Sequence, residues 1–323
     1  GCSSPLTALD RKPIRAAGSW SETHGQRYFR RRTRHAQRPG RRVKTVTCGG
    51  LHGLRLEEFS ESAVDASIAA HYELLSQGGP NVLKNDHRAQ VTRVNSGAQQ
   101  VVVKEVTKTN RRRQLADRLR GSPARRAWTG GHGLLARGIA SAKPLAFVEE
   151  TRMGIPLRSL LILEDLYPAP PVHELAANDP RNGAALSVAL RRLAVTLHRT
   201  QVIHGDLQAP HVFLRTKTAE GGAEAHLEPT LIDLEGVRFS RQLNDNQRIK
   251  ALVELNASIT ETQIPSDERC LALELYAQAL PFSPSRPGGL DGVLREIMRS
   301  SIARNHFWKG ADCNLRSVDV TPD

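Results

Sequence analysis

The sequence predicts an α+β fold whose first part is rich in strands and whose second part is mainly helical. The run "AQQVVVKEV" contains several β-branched residues and carries Lys104 near its end, which is typical of a buried strand. Further along the chain, leucines recur at i, i+4, i+7 and i+11, which is the spacing of one apolar stripe on a helix. They are Leu186, Leu190, Leu193 and Leu197. The 323 residues leave room for two such parts, and a hydrophobic content of 39% is adequate for a packed core.

A turn with an acid and a second side chain able to bind a metal follows this predicted helix. The stretch "VIHGDLQAPHVFL" contains Asp206 and, five residues later, His211. The spacing matches the protein-kinase loop H-R-D-x-x-x-x-N, in which the Asp accepts the proton of the attacking hydroxyl and the Asn binds magnesium. Here Gly205 replaces the Arg and His211 replaces the Asn. An isolated H-G-D is more often a structural turn, so the interpretation depends on partner motifs.

Two further motifs supply those partners. The stretch "PTLIDLEGVRF" places Asp233 between a short apolar strand and a turn, where a kinase has the magnesium-binding Asp of its D-F-G. Lys104 occupies a strand similar to V-A-I-K, whose Lys neutralises the α- and β-phosphates of ATP. A strand Lys, a loop Asp and a second Asp after a strand, in that order, predict a nucleotide-dependent phosphotransferase far better than any one of them.

The segment "SLLILEDLYPAPP" predicts a strand that breaks at Glu164 and leads into a Pro-rich turn, as a hinge between two lobes would. In that case the backbones of Glu164 and Leu166 face the adenine of ATP. Gln208, two residues after Asp206, is expected to contact the γ-phosphate or the acceptor. We assign His204 a structural role in fixing the loop.

Taken together, these motifs resemble the Kdo/heptose lipopolysaccharide kinases of bacteria, the Kdo/WaaP family. Its members are small kinase-like enzymes that phosphorylate sugars of the lipopolysaccharide inner core. The resemblance covers roughly residues 80 to 320 and includes "SPARRAWTGGHGLLARGIASAKPLAFVE". Within it, "LLARGIASAKPLA" is the most discriminating passage, because general protein kinases do not show it.

The resemblance implies a two-lobed protein-kinase-like fold, with a small β-rich N-lobe and a mainly helical C-lobe. It implies ATP as co-substrate, Mg2+ as cofactor and a Kdo or heptose hydroxyl of the lipopolysaccharide core, or of a lipid A precursor, as acceptor. Lys104 is expected to hold the ATP phosphates, and Asp206 is expected to receive the proton of the acceptor hydroxyl. Asp233 and His211 are the expected metal ligands.

Alternatives remain open because the sequence departs from the kinase pattern. No glycine-rich loop precedes Lys104, and Ala127 stands where a helix Glu would pair with that Lys. Imidazole suits transition metals better than magnesium, so His211 is an unusual ligand. A similar His-Gly-Asp loop occurs in aminoglycoside and choline phosphotransferases. The chain is therefore also compatible with a kinase for another small molecule or protein, or with a catalytically weak kinase-like binding module.

Charge and motif positions predict four segments. Residues 1–48 are expected to form a basic, disordered tail, 49–79 a leading helix, 80–163 the N-lobe and 164–323 the C-lobe. The formal net charge is +13, and the tail concentrates Arg and Lys with very few acids. Such a tail favours peripheral contact with the anionic inner-membrane surface. Nucleic acid is a less expected partner.

Cellular location is predicted from three features of the sequence. No stretch approaches the roughly 18 uninterrupted apolar residues of a membrane span, and no secretory h-region is visible. The four cysteines lie far apart without a C-x-x-C, which argues against a zinc site or a disulfide scaffold. A cytoplasmic protein, peripheral to the cytoplasmic face of the inner membrane, fits these features.

Overall fold

The computed structural model describes residues 22–36, 38–40, 42–97, 99–107, 117–178, 182–217 and 226–309. The chain divides into two compact units. Unit 1 comprises Gly1–Ile139 with Lys143–Glu164, and unit 2 comprises Ala140–Ala142 with Asp165–Asp323.

The described part of unit 1 is built on a seven-stranded antiparallel sheet with strand order β1-β2-β6-β7-β5-β4-β3. Its strands are β1 (Val43–Cys48), β2 (Leu51–Leu56), β3 (Val82–Asn85), β4 (Gln90–Ser96), β5 (Gln99–Thr107), β6 (Pro144–Arg152) and β7 (Ile155–Glu164). The β-branched run predicted to be a strand is β5, near the middle of the sheet. Val101 and Val103 on β5 are fully buried, and Lys104 lies on the opposite face because strand side chains alternate.

The described residues of unit 1 form three helices: α1 (Glu22–Ala36), α2 (Glu61–Gln77) and α3 (Pro123–Leu135). Helix α2 begins where the Ser60 hydroxyl accepts a hydrogen bond from the Ala63 N–H and ends at Gly78, whose φ is 75°. It packs on β4. Helix α3 packs on β6 and β7, with Trp128 buried in that interface. Helices α2 and α3 therefore each bury one face against the sheet, whereas α1 packs on α3.

The N-terminal boundaries differ from the sequence prediction. Helix α1 and strand β1 lie within the segment 1–48 expected to be a disordered tail, and β2 precedes the helix expected in 49–79. Strand β1 forms because Val43 and Val46 are buried. Gly49 and Gly50, with φ of 51° and 80°, make the two-residue turn to β2. The predicted tail residues 1–21 lie outside the described residues.

Unit 2 is mainly helical. Its helices are α4 (Val172–Asn178), α5 (Gly183–Arg199), α6 (Asp245–Ala257), α7 (Ser266–Ala279) and α8 (Gly289–Lys309). Two antiparallel pairs of strands accompany them: β8 (Val202–Ile203) with β11 (Arg238–Phe239), and β9 (Val212–Lys217) with β10 (His226–Leu231). The predicted leucine stripe is buried on α5. Residues Ala194 and Val195 of α5 join a core cluster with α6, α7 and α8.

The predicted α+β class is therefore confirmed, with strands dominating unit 1 and helices dominating unit 2. Helix α5 ends at Arg199 and β8 begins at Val202, so the buried helix leads directly into the Asp206 turn. Among the described helices, none combines the length and the apolar character needed to span a bilayer.

Candidate active site

Two backbone turns of unit 2 are held against each other by the pairing of β8 with β11. Ile203 pairs with Arg238, so the turn after β8 lies beside the turn before β11. Gly205 has φ of 90°, and a Cβ there would overlap the Gly236 carbonyl. A Cβ on Gly236 would lie 2.9 Å from the His204 carbonyl oxygen. Both positions need Gly, which explains two departures from the kinase pattern, the missing Arg at 205 and the displaced Gly at 236.

His204 fixes the first turn to the strand that precedes Asp233. It is almost fully buried, and its Nε2–H donates a hydrogen bond to the Ile232 carbonyl at 2.9 Å. Burial lowers the pKa of His204, which keeps the ring neutral. These contacts agree with the structural role expected from the sequence.

Asp206, His211 and Asp233 converge at these turns. Their ligand atoms all lie within 4.8 Å of one another, and all three side chains are half-buried. Asp233 adopts a left-handed conformation with φ of 58°, which directs the chain into the 3-10 turn Leu234–Gly236. A non-Gly residue in that region is uncommon and is often found at functional sites.

The orientation of His211 follows from its backbone contacts. Its Nδ1 lies 2.9 Å from the Asp206 carbonyl oxygen, which can only accept, so Nδ1 carries the proton. The Ile232 N–H donates to the His211 carbonyl at 3.0 Å, which places His211 beside the end of β10 and next to Asp233. The ring nitrogen left as an acceptor is therefore Nε2.

Gln208 contacts Asp206. Its Nε2 donates a hydrogen bond to Asp206 Oδ1, while Asp206 Oδ2 lies 3.5 Å from His211 Nδ1. The two oxygens of the Asp206 carboxylate thus have different neighbours, which fixes the plane of the group. The contact between Gln208 and a phosphate or acceptor stays a prediction.

The donor set fits a divalent cation. Two carboxylates supply the hard oxygen ligands that magnesium prefers, and one imidazole nitrogen makes the set more tolerant of transition metals. The residues predicted from the kinase-like spacing are the ones that the structure brings together in unit 2.

Of the remaining predicted residues, Lys104 and Glu164 belong to unit 1 and Leu166 belongs to unit 2. Lys104 is half-buried on β5, opposite Val91 and Leu161. Glu164 ends β7, and its N–H donates to the Lys143 carbonyl at 2.9 Å. The Leu166 carbonyl accepts from the Ala169 N–H at 2.8 Å, and the adenine contacts of Glu164 and Leu166 stay predictions.

Sequence reasoning missed Ser258, which forms a hydrogen bond to the turn that follows Asp206. Ser258 follows α6, and its Oγ accepts a hydrogen bond from the Ala209 N–H at 2.8 Å. Helix α3 has no acidic residue, as the sequence predicted from Ala127. Ser258 lies far from the motif in sequence and belongs to no recognised pattern, so only the fold reveals its contact.

The model of the lipopolysaccharide kinase (Kdo/WaaP) family matches residues 83–275, more than half of the chain. Among solved structures, WaaP in complex with acyl carrier protein is similar at 19% identity and a TM-score of 0.48, covering 73% of this chain and 91% of that one. The Rio2 kinase of Chaetomium thermophilum is similar at 14% identity and a TM-score of 0.41, covering 90% and 99%. No curated protein matches.

Proposed function

Because the chain belongs to the lipopolysaccharide kinase (Kdo/WaaP) family, it has a protein-kinase-like fold and is a phosphotransferase that acts on a sugar hydroxyl; we propose that the acceptor is a Kdo or heptose hydroxyl of the lipopolysaccharide inner core. The observation that carries this proposal is the convergence of Asp206, His211 and Asp233 inside the matched segment. The acceptor is a core sugar or a lipid A precursor, and ATP is the phosphoryl donor.

Asp206 is the proposed base. Its carboxylate is oriented by Gln208 on one oxygen and faces His211 on the other, so it is held ready to receive a proton. The acceptor oxygen forms its bond to the γ-phosphorus as the bond to the bridging oxygen of ADP breaks, and Asp206 takes the hydroxyl proton. Positioning and charge neutralisation supply most of the catalysis in phosphoryl transfer.

Asp233 and His211 are the proposed metal ligands. Bound Mg2+ would neutralise charge on the transferring phosphates. The backbone contact that holds the proton on His211 Nδ1 leaves Nε2 as the atom that His211 offers a cation. His211 then takes the place of the kinase Asn, with a nitrogen ligand instead of an amide oxygen.

Lys104, Glu164, Leu166 and Gln208 are the proposed nucleotide contacts. Lys104 holds the α- and β-phosphates, while the Glu164 carbonyl and the Leu166 N–H meet the adenine edge. We also propose that Gln208, which donates to Asp206, contacts the γ-phosphate or the acceptor. Lys104→Met should weaken ATP binding, whereas Leu166→Ala should alter it little, because Leu166 is assigned a backbone contact.

Helix α1 is the part of the basic segment that supports the proposed membrane contact. Phe29 packs 5.1 Å from the Arg137 guanidinium, and Arg137 Nη1 lies 3.3 Å from Thr33 Oγ1, which anchors one side of α1. Three arginines at i, i+4 and i+7 are exposed on α1 and define the basic stripe: Arg27, Arg31 and Arg34. Each basic residue near acidic headgroups contributes about 1 kcal/mol. We propose that the basic stripe places the enzyme at the anionic membrane surface that carries its acceptor.

Acceptor identity is tested with a panel. Purified protein with MgATP is offered Kdo-containing core oligosaccharide, heptose-containing oligosaccharide, choline, an aminoglycoside and casein, and transferred phosphate is measured. Transfer to a core sugar that is lost in Asp206→Ala supports the proposal. Transfer only to choline or the aminoglycoside would make the protein a kinase for another small molecule. No transfer to any acceptor would favour a kinase-like binding module.

The membrane contact is tested by sedimentation with anionic vesicles at rising salt. Vesicle binding by the wild type should weaken as salt rises. Replacing the three arginines of the basic stripe with Glu should abolish this binding. A control with the same charge change uses three exposed arginines of unit 2: Arg192, Arg295 and Arg299. RNA binding is measured in parallel on the same proteins. An equal loss of vesicle binding in the control would contradict the membrane assignment. So would a stripe variant that loses RNA binding but still binds the vesicles.

A further inference from the structure

The turn from Asp206 to His211 is closed by hydrogen bonds within itself. The His211 N–H donates to the Gln208 carbonyl at 2.9 Å, and the Val212 N–H donates to the Ala209 carbonyl. His211 Nδ1–H donates to the Asp206 carbonyl at 2.9 Å, which joins the two ends of the turn. A contact made to the middle of this segment from outside therefore acts on Asp206 and His211 together.

Ser258, directly after α6, makes such a contact. Its Oγ–H donates to the Leu255 carbonyl at 2.7 Å, and its Oγ accepts a hydrogen bond from the Ala209 N–H at 2.8 Å. Ala209 is fully buried, so its N–H depends on a protein acceptor. A serine at a helix end commonly bonds a carbonyl of its own helix, as Ser258 does with Leu255. That local bond does not account for the second one, which joins residues 49 positions apart.

A buried arginine holds the chain on both sides of Ser258. Arg269, on α7, is 5% exposed, and its Nη1 donates to the Ile259 carbonyl at 3.2 Å and to Asn256 Oδ1 at 3.4 Å. Its Nη2 donates to Glu261 Oε2 at 2.8 Å. The planar guanidinium presents its donors in a fixed fork, so it restrains several groups at once. Ser258 is thus carried by a restrained piece of backbone, as a positioning contact requires.

We propose that Ser258 is a positioning residue for Asp206 and His211: by fixing the Ala209 amide, it sets the place of the proposed base and of the proposed metal ligand. This inference rests on the proposed function of those two residues. Ser258 acts through the Ala209 backbone and is assigned no contact with the acceptor or the nucleotide. Misplacement of a reacting group by about 1 Å can cost about a hundredfold in rate, so a small shift of the turn is sufficient for a measurable loss.

The test compares Ser258→Ala with Ser258→Thr and Ser301→Ala. Ser301 is a buried serine of α8 whose hydroxyl donates to the Ile297 carbonyl of its own helix at 2.6 Å, so it controls for removal of a hydroxyl. Ser258→Ala should lower kcat per folded molecule about tenfold to a hundredfold. KM for MgATP should change less than about threefold, because Lys104 and Asp233 lie outside the turn. Ser258→Thr keeps the acceptor oxygen at a partly exposed position and should retain most of the rate. Ser301→Ala should leave kcat and KM unchanged.

Stability and hydrogen exchange separate a positioning role from a structural one. The melting temperature is measured for each variant, and exchange of the Ala209 amide is followed by NMR. In Ser258→Ala this amide should exchange at least about tenfold faster than in Ser301→Ala, because it has lost its acceptor. A lower melting temperature with unchanged kcat in Ser258→Ala would overturn the positioning role. So would a Ser258→Thr protein that is as slow as Ser258→Ala.

Failure of the proposed function is recognised separately. If the wild type transfers phosphate to no acceptor, the proposed function fails whatever the Ser258 variants do. Unchanged exchange of the Ala209 amide in Ser258→Ala would then overturn the positioning contact as well, and faster exchange would support it. If Ser258→Ala does not fold, Ser258→Cys takes its place, because a thiol sulfur is a weaker acceptor. A fall in kcat smaller than that expected for Ser258→Ala supports the proposal, and an unchanged kcat overturns it.

Discussion

Two pairs of a histidine and a carboxylate have the same separation but different surroundings. In unit 1, His71 Nε2 lies 3.5 Å from Glu105 Oε2, and the two side chains are 0% and 3% exposed. In unit 2, His211 Nδ1 lies 3.5 Å from Asp206 Oδ2, and the side chains are 22% and 40% exposed. The distance between partners therefore does not distinguish a structural pair from a candidate catalytic one.

The neighbours of each pair make the distinction. His71 Nδ1 lies 2.7 Å from Thr92 Oγ1, so the ring links α2 to β4 and β5 inside the core. His211 instead lies beside Asp206 and a second carboxylate, Asp233, in a partly open turn. A catalytic or metal-binding site needs access for its substrate, and it needs several ligand atoms close together. The His71–Glu105 pair is buried, and among the described residues it belongs to no such group of ligands. The two pairs should respond to substitution in opposite ways.

The largest expected effect is on transfer. Asp206→Ala should lower kcat by about a thousandfold, within the range for loss of a general base, while MgATP binding survives. The change leaves a half-exposed position, so the melting temperature should change little. Rate and melting temperature are measured on the same preparation. An Asp206→Ala protein with near-normal transfer would contradict the mechanism.

The buried pair should show the reverse pattern. Glu105→Ala should lower the free energy of unfolding by about 3 kcal/mol, because His71 loses a buried partner and a cavity remains. Transfer per folded molecule should be unchanged. Urea denaturation gives the stability, with Glu57→Ala as control, since Glu57 forms an exposed pair with Lys44 that contributes about 0.5 kcal/mol. Equal losses in the two variants would remove the distinction based on burial.

Backbone geometry at the Asp206 turn gives a smaller effect on stability. Gly205 and Gly97 both have positive φ, but only at Gly205 would a Cβ meet other atoms. Gly97→Ala should lower the free energy of unfolding by about 1 kcal/mol because of its positive φ alone. Gly205→Ala should cost about 2 kcal/mol or more and also reduce transfer, because Gly236 must move. If both variants keep full transfer, close packing of the two turns is not required for catalysis.

The smallest effect is expected at His211. If Nε2 is a metal ligand, His211→Asn should keep or improve activity with Mg2+ and lose activity with transition metals, because an amide oxygen is the harder ligand. Activity is measured with Mg2+, Mn2+ and Zn2+ together with the melting temperature. A stable variant with unchanged metal preference would remove His211 from the ligand set.

The sequence predicted much of the site region because its motifs are local. Asp206 and His211 lie in one short turn, and Asp233 follows a strand that can be recognised in the sequence. The order of the motifs was therefore sufficient to predict that these three residues lie together. The close approach of Gly205 and Gly236 could not be predicted, since it depends on the pairing of β8 with β11. Tertiary packing alone reveals such contacts.

The N-terminal region was predicted poorly for a different physical reason. Its high charge suggested disorder, and that signal outweighed two weaker ones: the apolar residues Val43 and Val46 of β1 and the Gly49–Gly50 turn. Ser258 was missed because 49 residues separate it from Ala209 and it belongs to no motif. Charge composition describes whole segments, whereas a few buried side chains decide whether a strand forms.

The central claim is that Asp233 belongs to a metal-dependent nucleotide site, and it can be tested without knowing the acceptor. The melting temperature of the wild type and of Asp233→Asn is measured with ATP alone, with Mg2+ alone and with both. A ligand that binds only the folded protein stabilises it by mass action, so MgATP should raise the wild-type melting temperature more than either component alone. In Asp233→Asn the additional, magnesium-dependent rise should disappear. The same magnesium-dependent rise in both proteins, or none in the wild type at millimolar MgATP, would contradict the account.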